Sequence, residues 1–107
     1  MGTAQLAWMQ DMKFVGKGAS GHEVVMDAVQ EVGGHDSAAR PMEVLLIGLM
    51  GCTAMDVISI LKKKRQDVQD FKIFATFERS PEHPKKYTSI HLEYVAYGDV
   101  DLKALER

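Results

Sequence analysis

Cys52 is the only cysteine among 107 residues. It lies within "PMEVLLIGLMGCTAMDVISILKKKR", residues 41–65. A thiol can do two things there. Ionised, it is a nucleophile able to attack a peroxide oxygen or a disulfide. Un-ionised, it is a small hydrophobe that fills space in a core. Twelve consecutive uncharged residues, Val44 to Met55, surround it, which suits the second role. Asp56 follows four residues later on the same helical face, and a carboxylate there disfavours a thiolate. Cys52 is also too deep in the segment to draw on a helix N-terminus. A reactive Cys52 therefore needs a cation from elsewhere in the fold. Arg40 is the first choice and Lys17 the second, with Lys13, Arg79 or a residue of a partner chain as further sources. Glu43 precedes Cys52 by nine residues, about 180° around and roughly 13 Å along a straight helix, so it is a poor intrahelical partner for the thiol.

The remaining polar motifs carry less chemistry. His22, His35, His83 and His91 show no metal-ligand spacing with one another or with Cys52, so no metal and no cofactor is expected. "GKGASG", residues 16–21, lacks the Lys-Ser/Thr and helix start of a phosphate loop and reads as a hairpin turn. Lys62 to Arg65 read as a solvated helix end.

The elements that must position Cys52 follow from periodicity. Residues 3–9 alternate as a strand, with Ala4, Leu6 and Trp8 on one side. Residues 13–27 read as a hairpin, two β-rich runs around a glycine-containing connection. Residues 28–40 carry Gly33-Gly34 and Asp36-Ser37 and read mostly as loop. Pro41 is suited to the first helical position, Glu43 to the first turn, and Lys62 to Arg65 to the last. Residues 71–79 and 86–98 are strands joined by a turn at 80–84. Phe71, Ile73, Ala75 and Phe77 share one face of the first, and Thr88, Ile90, Leu92, Tyr94 and Ala96 one face of the second. Asp99 or Asp101 would cap a last helix beginning in "DLKALER". The order βββ–α–ββ–α predicts an α+β fold, antiparallel sheets with a central helix.

That helix is apolar on every side from Val44 to Gly51, more than one sheet can cover, so a second helix or a second subunit is expected to complete it. Gly48, Gly51 and Ala54 thin its surface for close packing. Length and composition fit one soluble domain over 1–107: 46% hydrophobic, 26% charged, net charge -2. Neither a nucleic-acid nor a membrane partner is expected. The uncharged run falls short of a bilayer span, and no secretory signal is visible. A single free cysteine favours a reducing cytoplasm.

"RPMEVLLIGLMGCTAMDVISIL" resembles the central helix of the OsmC/Ohr family, in particular its YhfA-like branch. "KFVGKGASGHEVVMDA", "FERSPEHPKKYTSIHLEYVAYG" and "DLKALER" extend the resemblance over essentially the whole chain. It implies an OsmC-like α+β fold with long strands wrapped around central helices in an intertwined homodimer. It implies oxidative-stress defence by thiol-dependent reduction of organic hydroperoxides or peroxide, with Cys52 as the attacking cysteine, assisted by an arginine and a glutamate and reset by a dithiol reductant. The family's acid directly follows the helix-opening proline, where this chain has Met42, with Glu43 one position on. The family's arginine lies in the N-terminal hairpin, where this chain has only Lys13 and Lys17, with Arg40 coming later; Arg40 and Glu43 are the candidates beside Cys52. The family's resolving cysteine lies on a second central helix, so the resemblance also implies a C-terminal helix and strand beyond Arg107. The alternative is a non-catalytic dimeric module that binds a small hydrophobic ligand near Cys52; in a third reading Cys52 is core alone.

Overall fold

The computed structural model describes residues 2–81 and 86–99. The chain divides into two compact units with the boundary between Gly48 and Leu49, inside the long helix.

The first unit holds strands β1 (Gln5–Gln10), β2 (Lys13–Lys17) and β3 (Glu23–Met26) in one antiparallel sheet of that order. Asp11 and Met12 join β1 to β2, and Asp11 takes the left-handed conformation at φ 54°, which aspartate tolerates better than most residues. The register places Leu6 opposite Gly16 and Trp8 opposite Phe14, then Phe14 opposite Met26. Leu6, Trp8, Phe14 and Met26 therefore share one face, as alternation requires. That face is only partly covered. Every residue of β1 is exposed, while the central strand β2 is half-buried along its length. The indole N–H of Trp8 donates to the Asp11 carbonyl at 2.7 Å, yet the residue stays 68% exposed.

Residues 28–40 are mostly loop, as expected, with a short 3₁₀ turn at Gln30–Val32. Gly33 closes that turn in the left-handed conformation, φ 95°. The loop is folded back on its own start: the Asp36 N–H donates to the Ala28 carbonyl, and the Asp27 N–H to the Ala39 carbonyl, each at 3.0 Å.

Helix α1 runs Pro41–Lys63, with proline at its first position as the sequence indicates. Its C-terminus is a Schellman motif. The Gln66 N–H reaches the Leu61 carbonyl at 2.9 Å and the Arg65 N–H the Lys62 carbonyl at 3.0 Å, with Arg65 left-handed at φ 57°. Leu46 and Leu61 are buried, whereas Leu45, Ile47, Leu49 and Met55 are exposed, Met55 to 76%. At Gly48 and Gly51 a methyl would meet nothing within 4 Å. By length and composition α1 could also cross a membrane, a property it shares with core helices of soluble proteins. It is longer than the uncharged run because Glu43 and Asp56 fall inside it.

The second unit pairs β4 (Asp67–Arg79) with β5 (Tyr87–Asp99) in an antiparallel ribbon. Phe71, Ile73, Ala75 and Phe77 stand opposite Ala96, Tyr94, Leu92 and Ile90. The two faces read from sequence are therefore one face of the ribbon. Phe71 stacks on Tyr94 with ring centroids 6.2 Å apart. β4 begins four residues earlier than the apolar alternation suggests, because Asp67 to Asp70 continue the ladder through a bulge at Gln69. Opposite the bulge, Gly98 sits at φ 121°, and a Cβ there would lie 2.2 Å from the Asp67 carbonyl oxygen. The expected last helix, residues 101–107, lies outside the described residues, as does His83.

The architecture is α+β with antiparallel sheets and one long helix.

Candidate functional site

The sequence singles out Cys52, Arg40 and Glu43, all carried by α1 or its immediate lead-in. Arg40 is the N-cap residue and Glu43 the third residue of the helix. Glu43 Oε1 accepts the Arg40 backbone N–H at 2.9 Å. This is the acidic half of a capping box, satisfying one donor that a helix start otherwise leaves unpaired. The Arg40 guanidinium pairs with Asp36 Oδ1 at 2.6 Å and donates to the Ala38 carbonyl at 3.1 Å. Arg40 and Glu43 are thus brought together through the backbone, each with a structural partner at the helix entrance.

Cys52 lies nine residues beyond Glu43 on α1. It is a free, exposed thiol. Its neighbours one turn away on the helix are Gly48, Leu49, Met55 and Asp56, so the helix itself supplies no cation. Asp56 is exposed and escapes the burial that would have forced it to find a partner. Thr53 donates its hydroxyl to the Leu49 carbonyl at 3.0 Å. One turn past Cys52 begins an open apolar groove of about 470 Å³ lined by Ala54, Met55, Ile58, Ser59 and Lys62. Met55, Ile58, Ser59 and Lys62 follow helical i, i+3, i+4, i+7 spacing, and Cys52 precedes Met55 by three. The thiol and the groove lining therefore lie along one stripe, with the Lys62 ammonium at the far end.

The other cations considered have partners or neighbours within their own units. Lys17 ends β2 between Gln5 and Glu23 in the register. The Arg79 guanidinium carbon lies 5.9 Å from the centroid of the Tyr87 ring.

The first unit contains a polar centre that sequence reasoning missed. Asp27 is 2% exposed and accepts four hydrogen bonds. They come from the Ala28 N–H at 2.7 Å, the His35 N–H at 3.1 Å, the Ser37 N–H at 3.2 Å and the Ser37 hydroxyl at 2.6 Å. The Ser37 hydroxyl, then the backbone donors, hold its carboxyl well below the usual carboxylate range, against the opposing pull of burial. Beside it is an apolar hollow of about 370 Å³ bounded by Leu6, Met12, Phe14, Met26, Ala28 and Pro41. His35 Nε2 lies 2.5 Å from Asp11 Oδ2, and that hydrogen bond raises the imidazole pKa above its ordinary value. The available signals were indirect: a glycine pair that lets a loop fold tightly, and the Asp36–Arg40 i,i+4 spacing. Among the described residues, His, Cys, Asp and Glu form no group of three placed to hold a metal ion.

Comparison with known proteins adds to this geometry. Residues 34–107 match the family model described as OsmC-like protein. The Escherichia coli (strain K12) protein YhfA is 42% identical over 100 residues, which cover 94% of this chain and 71% of YhfA. A solved structure of a hypothetical protein from Aquifex aeolicus VF5 is 39% identical and superposes with a TM-score of 0.83 over 99% of this chain and 74% of that one. An OsmC-like protein of unknown function from Vibrio cholerae shares the fold at 16% identity, with a TM-score of 0.73 over 99% of this chain and 82% of its own.

Proposed function

This chain belongs to the OsmC-like protein family, and on that premise we propose that it is a thiol-dependent peroxidase acting on organic hydroperoxides or peroxide as a homodimer. The observation that carries the reading is Cys52 itself: a free, exposed thiol midway along the long helix of an OsmC-like chain. In the proposed reaction the Cys52 thiolate attacks the distal peroxide oxygen. An S–O bond forms, the O–O bond breaks, and the alkoxide leaves and takes up a proton as alcohol. Sulfur, oxidised by two electrons, becomes a sulfenic acid. An incoming thiol condenses with it, releasing water and leaving a disulfide. A dithiol reductant completes the exchange and returns Cys52 to the thiolate.

An attacking thiolate needs a nearby positive charge. Arg40 of the second copy of the dimer is the first source, since the chain's own Arg40 precedes Cys52 by twelve residues, roughly 18 Å along the helix, and Lys17 is the second. Glu43 serves by holding the Arg40 backbone at the helix entrance. The exposed apolar side chains of α1 support the homodimer, since patches of this kind drive association.

The test is mass spectrometry after brief exposure to a bulky hydroperoxide with a sulfenic-acid trap present. Wild type gains the adduct at Cys52, and Arg40→Ala gains it more slowly. No adduct on the folded protein would reduce Cys52 to packing and end the enzymatic reading. An equal rate in Arg40→Ala would keep the reactive thiol but remove Arg40 as its activator. The groove beyond Met55 favours a second reading, a non-catalytic dimeric module that binds a small hydrophobic ligand near Cys52. In that case a fluorescent fatty-acyl probe binds wild type and Cys52→Ser alike, and no trapped adduct forms.

A further inference from the structure

We propose that the His35–Asp11 pair is a proton-operated latch that ties the β1–β2 turn to the loop leading into α1, closed when His35 is protonated. The geometry carries this. The two residues are 24 apart in sequence and belong to separate elements, yet His35 Nε2 lies 2.5 Å from Asp11 Oδ2. Asp11 sits at the tip of the β1–β2 hairpin. His35 sits in the loop whose next residue, Asp36, holds the Arg40 guanidinium, so the latch bears on the segment that enters the helix. The loop's other anchors do not titrate near neutrality: the Ala28 and Val29 carbonyls accept from Asp36 and Gly34, and the Asp27 carboxylate stays ionised.

The charged groups facing His35 are few. Asp11 on the turn and Asp27 at the end of β3 favour its protonated form, and Lys13 on β2 opposes it. The hydrogen bond to Asp11 is the largest influence and raises the imidazole pKa. The sign follows. The contribution of the pair is complete below the ordinary histidine value of about 6.5 and is lost as pH rises through the higher folded value. Both side chains are well exposed, 66% and 44%. The latch is therefore a local device, not a determinant of global folding.

The measurement is amide hydrogen exchange on the intact chain from pH 5.5 to 8.5, each rate divided by its intrinsic value at that pH, alongside NMR titration of the His35 ring. Protection of the His35 and Ser37 amides should fall about two- to five-fold across the His35 midpoint, the scale of one exposed ion pair. The His35 midpoint should lie above the ordinary histidine value of about 6.5 and drop in Asp11→Asn. In both Asp11→Asn and His35→Gln the protection should no longer change with pH. Wild-type protection that is flat across the midpoint overturns the proposal, as does the same pH dependence surviving in His35→Gln.

Discussion

At Gly34 an added methyl would lie 2.0 Å from the Ala28 carbonyl oxygen and 2.4 Å from its carbon. Both are backbone atoms, fixed by the hydrogen bonds that fold the loop back on its start. Gly34→Ala must displace that backbone, and a loss of about 1–3 kcal/mol is expected. Gly18 has open space around it, so Gly18→Ala should stay within about 0.5 kcal/mol of wild type. Urea midpoints for the two variants give the comparison, and equal midpoints would show that the loop is not packed as described. Asp27 makes a sharper case. Its Oδ1 accepts one N–H and its Oδ2 three donors, so an amide in its place turns donors toward donors whichever way it is flipped. Asp27→Asn should melt several degrees below wild type. The acid limb should change as well. A carboxyl with a lowered folded pKa contributes stability that is present above about pH 4 and lost as pH falls below it. Wild type should lose stability in that range, and the Asn variant should lose less of it. This centre was not legible in the sequence, because its donors lie one, eight and ten residues from the carboxylate and no local pattern marks them. Cys52 was conspicuous for the opposite reason: one residue of its type, in an uncharged run.

The elements were easier to read where local rules and tertiary structure agree. Pro41 and Glu43 mark the start of α1 because both act on its own unpaired N–H groups. The long ribbon strands show clean alternation, and their predicted faces meet in the observed register. The two-residue β1–β2 turn was missed, since Asp11-Met12 carries no glycine and depends on a left-handed aspartate. The start of β4 was missed because Asp67 and Asp70 are polar residues in a ladder that a bulge keeps paired. The end of α1 offers a direct test of local chemistry. Arg65 occupies the position that glycine usually takes in a Schellman motif. Arg65→Gly should raise stability by about 0.5–1 kcal/mol, the relief of a left-handed side chain less the added freedom of the unfolded chain. A lower denaturation midpoint would mean that the Arg65 side chain holds more than its backbone position suggests. Gly51 tests the helix surface instead. If a second copy packs closely there, Gly51→Leu should lower the melting temperature well beyond Ala38→Leu, and matched melting curves would leave that face uncovered.

For the molecule as a whole, the exposed apolar residues are the dominant fact. Leu45, Ile47, Leu49 and Met55 on α1, and Leu6, Trp8 and Met9 on β1, are all open to solvent. Where such residues adjoin, as Leu6 and Trp8 do on one face of β1, exposed apolar surface favours association. Sedimentation at low micromolar concentration should therefore show dimers and no stable monomer. A well-folded monomer under those conditions would sink the homodimer and, with it, any activating cation supplied by the second copy.

Trp8 gives the protein a built-in optical probe. It is the only tryptophan in the chain, and its indole N–H is already tied to the Asp11 carbonyl. Its emission therefore reports on whatever covers the apolar side of the ring. Anything that settles over β1 should shift that emission toward the blue, and separation on dilution should return it toward the red. Neither a label nor a substitution would be needed to follow when that surface is occupied.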